Sequence, residues 1–275
     1  MSLITFTSNF GSGGEMIAQK VAKELGIEYY NDQKLHDRAL AMGMTSKDLE
    51  GLDEKAPRFF DRLFTNKPAL YLDILGSVVY DIAGEGEGVL IGHGAQVFLE
   101  DFNCALHVMV HAPEETRRDW LSKEQNISEE AALQLVHKMD RRMHDYIQFV
   151  FGRDWQDFSG YDVVINLEKI GAAWATKLIV DLAGSDEVKS CSLKAIEEMK
   201  LSSLKRKVDA ALIKSNLYHS FTSMTVQVSG EGQVHLRGLV SNKEDLNKML
   251  RIVKDVPGVT DVTSEIIVMS EAYGY

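Results

Sequence analysis

A run of glycines and small polar residues near the start of the chain has the clearest chemical potential. Ser8-Asn9-Phe10-Gly11-Ser12-Gly13-Gly14-Glu15 follows an apolar segment directly and precedes a segment with helical apolar spacing. Glycines permit positive φ and close backbone approach. The N–H groups at a helix N-terminus favour an anion such as phosphate. The run therefore predicts a phosphate-binding turn, and a glycine-rich turn without a ligand is the alternative.

The run has the position of a P-loop without its residues. When Gly13 is aligned with the second glycine of G-x-x-x-x-G-K-[ST], Ser8 takes the place of the first glycine. Gly14 then replaces the lysine, and Glu15 replaces the Ser/Thr. The lysine that clamps phosphates and the hydroxyl that binds magnesium are both absent. The carboxylate of Glu15 suits the helix dipole but repels phosphate. Binding here would depend on backbone donors.

The run opens a region in which apolar segments alternate with helical segments. Strands are predicted at residues 3–7, 88–92, 105–110 and 162–166, with a shorter one at 27–30. The mostly apolar character of these segments is typical of strands covered on both faces, as in parallel sheets. The alternation of strands and helices predicts a doubly wound parallel sheet, that is, a P-loop-type three-layer α/β/α fold.

The C-terminal part has a different order of elements. A helix to about residue 214 precedes strands at 224–228 and 234–240, then a helix and a last strand near 262–268. This order predicts a small α+β module. We predict a first domain over residues 1–184, a linker over 185–199 that leads into a helix, and a second domain over 200–275.

Composition limits the classes of function. The 275 residues are 45% hydrophobic and carry a net charge of −11, which indicates a globular protein. Residues 200–275 contain ten Lys/Arg and eight Asp/Glu, so the first 199 residues carry −13. An acidic first domain argues against nucleic-acid binding, which needs a basic face. No apolar run is long enough for a transmembrane segment. Two cysteines and no basic N-terminal segment predict a cytoplasmic protein.

Several motifs in the first 184 residues resemble the cytidylate-kinase-like family, a divergent branch of the nucleoside monophosphate kinases. They occur in the family's order. The matching residues are Phe10-Gly11-Ser12-Gly13-Gly14, Ile17-Ala18, Leu25-Gly26, Gly92-His93-Gly94-Ala95, Ala112-Pro113, Arg117, Gly152-Arg153-Asp154-Trp155, Tyr161-Asp162 and Asn166.

The resemblance implies a function and a set of site residues. It implies ATP, with Mg, at the run from Phe10 to Glu15, and a monophosphate acceptor near Asp32 and His93. It also implies catalytic arginines that converge on the phosphates. These are Arg117, Arg141, Arg142 and Arg153.

Each of these residues has a structural alternative. Arg141 fits a solvated helix face, paired with Asp145 four residues on. Asp32 fits a helix N-cap, and His93 fits a structural hydrogen-bonding role. The resemblance also implies a lid, for which the helix that starts near Ser128 is the candidate, and Asp140 and Asp145 are interpreted as surface charges of this lid. The histidines and carboxylates form no pattern of metal ligands, so magnesium would rest mainly on nucleotide phosphates and water.

The sequence departs from the family at charged positions. The family favours an Arg-Glu-Tyr run where this chain has Ser8-Asn9-Phe10, a basic residue at Glu15 and an arginine at His93. A further lid arginine falls at Met143. Phosphoryl transfer needs positive charge around the transferred group. Three interpretations therefore stay open: a phosphotransferase acting on a CMP-like acceptor, a catalytically impaired nucleotide-binding regulatory protein, and a scaffold that binds no nucleotide.

The C-terminal module resembles a BON domain. The matching segments are Val208-Asp209-Ala210-Ala211-Leu212, Val226-Gln227-Val228, residues 232–240 and Gly258-Val259-Thr260-Asp261-Val262. The resemblance implies recognition of a phospholipid, a hydrophobic ligand or a protein partner. A docking or dimerisation module is the alternative, so a homo-oligomer stays open.

Overall fold

The computed structural model describes residues 2–45, 68–189, 193–215, 217 and 221–269. By its contacts the chain divides into two compact units. The first unit comprises Met1–Leu35 and Glu85–Ile196, and the second comprises His36–Gly84 and Glu197–Tyr275. None of the helices in the described part of the chain combines the length and apolar character needed to cross a bilayer.

The elements follow the predicted alternation closely. The strands are β1 Leu3–Ser8, β2 Tyr29–Tyr30, β3 Gly88–Ile91, β4 Ala105–His111, β5 Val163–Asn166, β6 Phe221–Ser229, β7 Gln233–Val240 and β8 Asp261–Val268. The described helices are α1 Gly14–Leu25, α2 Asp32–Ala41, α3 Pro68–Ala83, α4 Ala95–Phe98, α5 Glu114–Gln125, α6 Glu129–Phe151, α7 Leu167–Ala183, α8 Asp186–Lys189, α9 Leu193–Lys214 and α10 Lys243–Lys254.

The first unit is built on a five-stranded sheet with the order β2-β3-β1-β4-β5. Every neighbouring pair is parallel. The loop between β1 and α1 therefore emerges at the carboxyl edge of a central strand, where open α/β sheets bind their ligands. The predicted P-loop-type α/β fold is confirmed.

One face of this sheet packs into an apolar core. Ile4 and Phe6 of β1 alternate inward and pack with Ile17 and Val21 of α1 and Ile179 of α7. All of these side chains are almost fully buried. Each buried side chain of this size contributes about 1.5–3 kcal/mol relative to an exposed one. The packing fixes the start of α1 against the end of β1, so it also fixes the loop between them.

The second unit contains the C-terminal sheet, ordered β6-β7-β8. β6 and β7 are antiparallel, whereas β7 and β8 are parallel. Val208 of α9 and Met249 of α10 pack on Val226 and Leu236 of the sheet. The structure thus has the predicted small α+β architecture. Helix α9 begins at Leu193, within the predicted linker, and Ile196 is already buried.

Helix α3 joins α9 through a line of polar contacts, although the two helices lie far apart in sequence. Arg206 Nη1 lies 2.5 Å from Asp73 Oδ1, and the buried Ser203 hydroxyl donates to the Ser77 carbonyl oxygen at 2.9 Å. Asp73, Ser77 and Asp81 follow one another at four-residue spacing, so they share one face of α3. The described residues 36–45 and 68–84 therefore belong to the same unit as the C-terminal module. The sequence analysis had grouped them with the first domain.

The line continues to a third helix. Asp81 accepts from Arg38 of α2 at 2.6 Å and lies 3.6 Å from Lys207 Nζ of α9. The chain just after α3 also lies close to α9, because a Cβ atom added at Gly84 would lie 2.8 Å from the Lys200 side chain. We call the contacts of Asp73, Ser77 and Asp81 with α9 the α3–α9 seam.

We expect Arg206→Met to weaken the second unit in a pH-dependent way. Burial raises the pKa of Asp73, whose side chain is 9% exposed, while Arg206 opposes the rise. Without Arg206 a buried carboxylate loses its partner, and the free energy of unfolding should fall by about 3 kcal/mol at pH 7. A raised carboxyl pKa gives stability that is present at low pH and lost as pH rises through it. The loss should therefore be smaller at pH 5, as measured by chemical denaturation.

Arg237→Met is the matched control, because Arg237 and Glu265 form an exposed pair, with side chains 57% and 59% exposed. It should cost less than about 1 kcal/mol. Equal losses for the two variants would contradict a special contribution of the seam.

Candidate functional site

The glycine loop adopts a conformation that only glycine accepts readily. Gly11 and Gly13 have φ of 78° and 82°, in the left-handed region. Gly13 is the N-cap of α1 and makes no side-chain capping bond. The first-turn N–H groups of a helix have no intrahelical partner. Gly14 N–H makes only a long contact, 3.4 Å, with the Ser12 hydroxyl. The loop thus presents backbone donors at a helix N-terminus.

Steric packing explains why Gly14 stands at the lysine position. A Cβ atom on Gly14 would lie 2.3 Å from Ser8 Cβ, a distance that real Cβ atoms essentially never show. The side chain of Ser8, at the position of the first P-loop glycine, fills the space that a larger residue 14 needs. A side chain at position 14 and the side chain of Ser8 therefore exclude each other in this backbone conformation.

Arg117 holds this loop in place through hydrogen bonds from its guanidinium. Its side chain is buried, with 5% of the residue exposed. Nη1 donates to the Phe10 carbonyl oxygen at 3.1 Å, and Nε donates to the Ala112 carbonyl oxygen at 3.1 Å. The guanidinium also contacts both carboxylate oxygens of Asp140 on α6, at 3.0 and 2.9 Å. In this arrangement Arg117 binds protein groups, whereas it was predicted to contact a nucleotide phosphate.

Apolar contacts reinforce the same brace. Phe10 packs against Leu121 of α5 and against Ala132 and Val136 of α6. A Cβ atom on Gly11 would lie 2.8 Å from Leu121 Cδ1, so glycine is needed there for space as well as for its backbone angle. The loop is therefore held against the α5–α6 hairpin from both the polar and the apolar side.

The four predicted arginines do not converge in the structure. Arg153 forms its ion pair with Glu100, at 2.9 Å. Arg141 is exposed and has no hydrogen-bond or ion-pair partner among the described residues, Asp145 included. Arg142 is half-buried and reaches the Met139 sulfur at 4.0 Å. From Asp140 to the end of α6 the helix rises about 16 Å, so Arg153 lies far along the helix from Arg117.

His93 and Asp32, the predicted acceptor residues, lie together and bind each other. His93 Nε2 is 2.8 Å from Asp32 Oδ1, and the imidazole is 2% exposed while the carboxylate is 28% exposed. Gly92, His93 and Gly94 all have positive φ, of 76°, 57° and 70°. The Tyr146 hydroxyl donates to the His93 carbonyl oxygen at 3.1 Å, which secures this turn. His93 is a buried anchor, and Asp32 keeps an accessible edge.

Glu15 gives the mouth of the loop its negative charge, as the sequence analysis expected. The Tyr29 hydroxyl donates to Glu15 Oε1 at 3.5 Å. Burial raises the pKa of Tyr29, and the charge of Glu15 raises it further. Tyr29 therefore stays a protonated donor at neutral pH and does not add a charge of its own.

A separate cleft of about 470 Å³ lies in the same unit. Its walls carry five carboxylates against one arginine: Glu100, Asp101, Asp154, Asp157, Asp162 and Arg153. Burial lowers the pKa of His107, which also lines the cleft, so this imidazole adds no positive charge at neutral pH. The acidic lining disfavours a phosphate in this cleft.

Asp140 is the site residue that the sequence analysis assigned differently, as a surface charge of the lid. Its pairing with Arg117 spans 23 positions and two helices, and no local pattern marks it. In the described part of the chain, no group of three or more His, Cys, Asp and Glu side chains is placed to hold a metal ion.

The parallel sheet order and the glycine turn between β1 and α1 define a P-loop-type three-layer α/β protein. A model of the cytidylate kinase-like family matches residues 3–169, and the chain belongs to this family. A model of the BON domain matches residues 200–270. Both resemblances noted in the sequence are confirmed.

Two known proteins are similar to this chain. A cytidylate kinase of Pyrococcus horikoshii is 25% identical over 169 residues, which cover 61% of this chain and 80% of that protein. The crystal structure of an uncharacterized protein from Eubacterium ventriosum superposes with a TM-score of 0.53 at 22% identity. The match covers 66% of this chain and 98% of the other. The latter likeness supports the fold.

We expect Gly14→Ala to destabilise the loop and Ser8→Gly to relieve the effect. The added methyl group meets Ser8 Cβ, so the single variant should lose about 1–3 kcal/mol in chemical denaturation. The double variant Ser8→Gly/Gly14→Ala should recover most of that loss, since the two side chains share one space. Gly160→Ala is the control, because a Cβ there meets no atom within 4 Å. Additive effects of Ser8→Gly and Gly14→Ala would contradict the coupling.

Proposed function

We propose that this chain binds ATP at the glycine loop and transfers its γ-phosphoryl group to a CMP-like nucleoside monophosphate. The observation that carries the proposal is the glycine turn, which presents backbone donors at the N-terminus of α1 and at the carboxyl edge of β1. Membership in the cytidylate kinase-like family, and the likeness to a protein named cytidylate kinase, support the acceptor class.

Phosphate binding at this site would rest on the main chain. The backbone from Phe10 to Glu15 supplies N–H donors, and the dipole of α1 adds about half a positive charge at its N-terminus. Magnesium, when bound with the nucleotide, supplies positive charge between the phosphate oxygens. Oxygen ligands suit this ion, which would rest mainly on phosphate oxygens and water.

The acceptor side would rest on Asp32. Its accessible carboxylate edge can accept a hydrogen bond from an amino or hydroxyl group of the monophosphate. The buried His93 holds that carboxylate in place through Nε2. In this role His93 positions Asp32, and the imidazole itself does not touch the acceptor.

Transfer would be slow, because the positive charge near the loop is largely compensated. Asp140 neutralises Arg117, and Glu100 neutralises Arg153. We assign Arg141 and Arg142 of α6 to the transferred group. Their side chains would have to reorient to reach it, because consecutive positions of a helix face different directions and Arg142 contacts the Met139 sulfur in the structure. Each charge-assisted contact with a phosphate contributes about 1.5–3 kcal/mol, so two such contacts replace the fuller set expected for the family.

A second function is favoured by the ion pair between Arg117 and Asp140. A buried cation already bound to a carboxylate suits a site that holds a nucleotide without turning it over. In this function the chain is a nucleotide-binding regulatory protein, and its BON domain binds a protein partner or a hydrophobic ligand. Either function draws on the ATP pool, so we propose a cytoplasmic location.

A binding panel followed by a transfer assay separates these functions. Full-length protein with Mg and ATP, CMP, dCMP or AMP should gain about 2.7 kcal/mol at ~100 times the dissociation constant, visible as a thermal shift. The kinase function predicts shifts with ATP and one monophosphate, and label from γ-³²P-ATP on that monophosphate. The regulatory function predicts a shift with ATP and no labelled monophosphate. No shift with any nucleotide at millimolar concentration would remove both functions.

Glu15→Arg should raise the affinity for ATP about tenfold, or about 1.4 kcal/mol, because a cation replaces an anion at the mouth of the loop. Glu24→Arg is the matched control, since Glu24 lies near the other end of α1 and is exposed. Isothermal titration calorimetry gives both affinities. An unchanged affinity in Glu15→Arg would place the nucleotide elsewhere.

A further inference from the structure

The guanidinium of Arg117 is a buried cation with one anionic partner among the described residues. Two of its contacts are carbonyl oxygens, of Phe10 and Ala112, which carry no net charge. The carboxylate of Asp140 supplies the compensating charge through two contacts. A cation that has left water depends strongly on such a partner, since solvent does not screen it.

The same cation also contacts the loop that forms the candidate phosphate site. Arg117 Nη1 binds the carbonyl oxygen of Phe10, and Phe10 immediately precedes Gly11 of the loop. A phosphate on the loop and the carboxylate of Asp140 therefore draw on one positive charge. The side chain of Asp140 is 23% exposed, so it can keep its place at the edge of the site while a ligand binds.

We propose that Asp140 is a positioning residue that acts as the internal counter-ion of the loop and lowers its affinity for phosphate. Its carboxylate fixes Arg117 against the Phe10 carbonyl and so holds the loop in shape. The same charge cancels the field that Arg117 would otherwise direct at a phosphate. The proposal rests on the proposed function, because it assumes a phosphate ligand at this loop.

Asp140→Asn tests the proposal, because the amide keeps the size of the side chain and removes its charge. The full-length variant should bind MgATP and inorganic triphosphate about five- to tenfold more tightly in calorimetry. Its melting temperature should fall, since Arg117 loses its anionic partner. The gain in affinity should shrink as salt is raised, because added ions screen the uncovered charge. A purely structural role would lower both the stability and the affinity.

Asp145→Asn is the matched control. Asp145 lies on the same helix and is exposed. Its replacement by Asn removes the same charge from the chain as Asp140→Asn does. It should change the affinity less than twofold. Asp140→Glu retains the charge and should keep the wild-type affinity. Should Asp140→Asn fail to fold, Asp140→Ser provides a second uncharged side chain with the same expected gain.

The outcomes separate this proposal from the proposed function. If the wild type binds MgATP and folded Asp140→Asn or Asp140→Ser binds no more tightly, the counter-ion role is wrong and the nucleotide site stands. If neither the wild type nor any variant binds MgATP or triphosphate, the nucleotide site and the counter-ion role both fail. A gain equal to that of Asp145→Asn would show a general charge effect and would also overturn the proposal.

Discussion

The bonds of one buried guanidinium hold the candidate site together. Arg117 ties the carbonyl of Phe10 in the glycine loop and the carbonyl of Ala112 after β4 to the carboxylate of Asp140 on α6. These three groups belong to three different segments of the chain. The planar guanidinium, with five donors, makes four contacts to these groups, one more than the three donors of a lysine allow. The shape of the loop and the position of the lid helix therefore depend on the same residue.

The loop itself shows how a phosphate site can be built with little side-chain charge. Glycines in the left-handed backbone region turn the main chain. The side chain of Ser8 occupies the space that the Cβ atom of a lysine at position 14 would need. What remains for an anion is the backbone and the helix dipole, together worth less than a full cation. On the proposed function, such a site would bind nucleotide and transfer phosphate more weakly than a complete P-loop. With so few cations near the loop, the extent to which Asp140 neutralises Arg117 matters more for phosphate binding than it would in a site rich in free cations.

The sheet could be predicted from the sequence because each buried strand is an apolar run between glycine or polar turns. The run 105–110 became β4 and the run 88–92 became β3, within one residue at either end. The polar partnerships could not be predicted. Asp73 and Arg206 are 133 positions apart, and on its own helix each looks like a solvated charge. Arg117 was recognised as a site residue, but its bonds to backbone carbonyls and to Asp140 follow from the fold alone.

The α3–α9 seam and the brace at Arg117 follow the same physical rule, since in both a buried ion is held by a partner that is distant in sequence. The central claim remains that the glycine loop binds nucleotide phosphate through its backbone. The most direct test is a ¹⁵N-TROSY titration of the full chain with MgATP, with amides assigned. Phosphate binding by the loop backbone predicts the largest chemical-shift changes at the amides of residues 11–16, with little change at residues 224–240. Saturable binding that leaves residues 11–16 unshifted would contradict it.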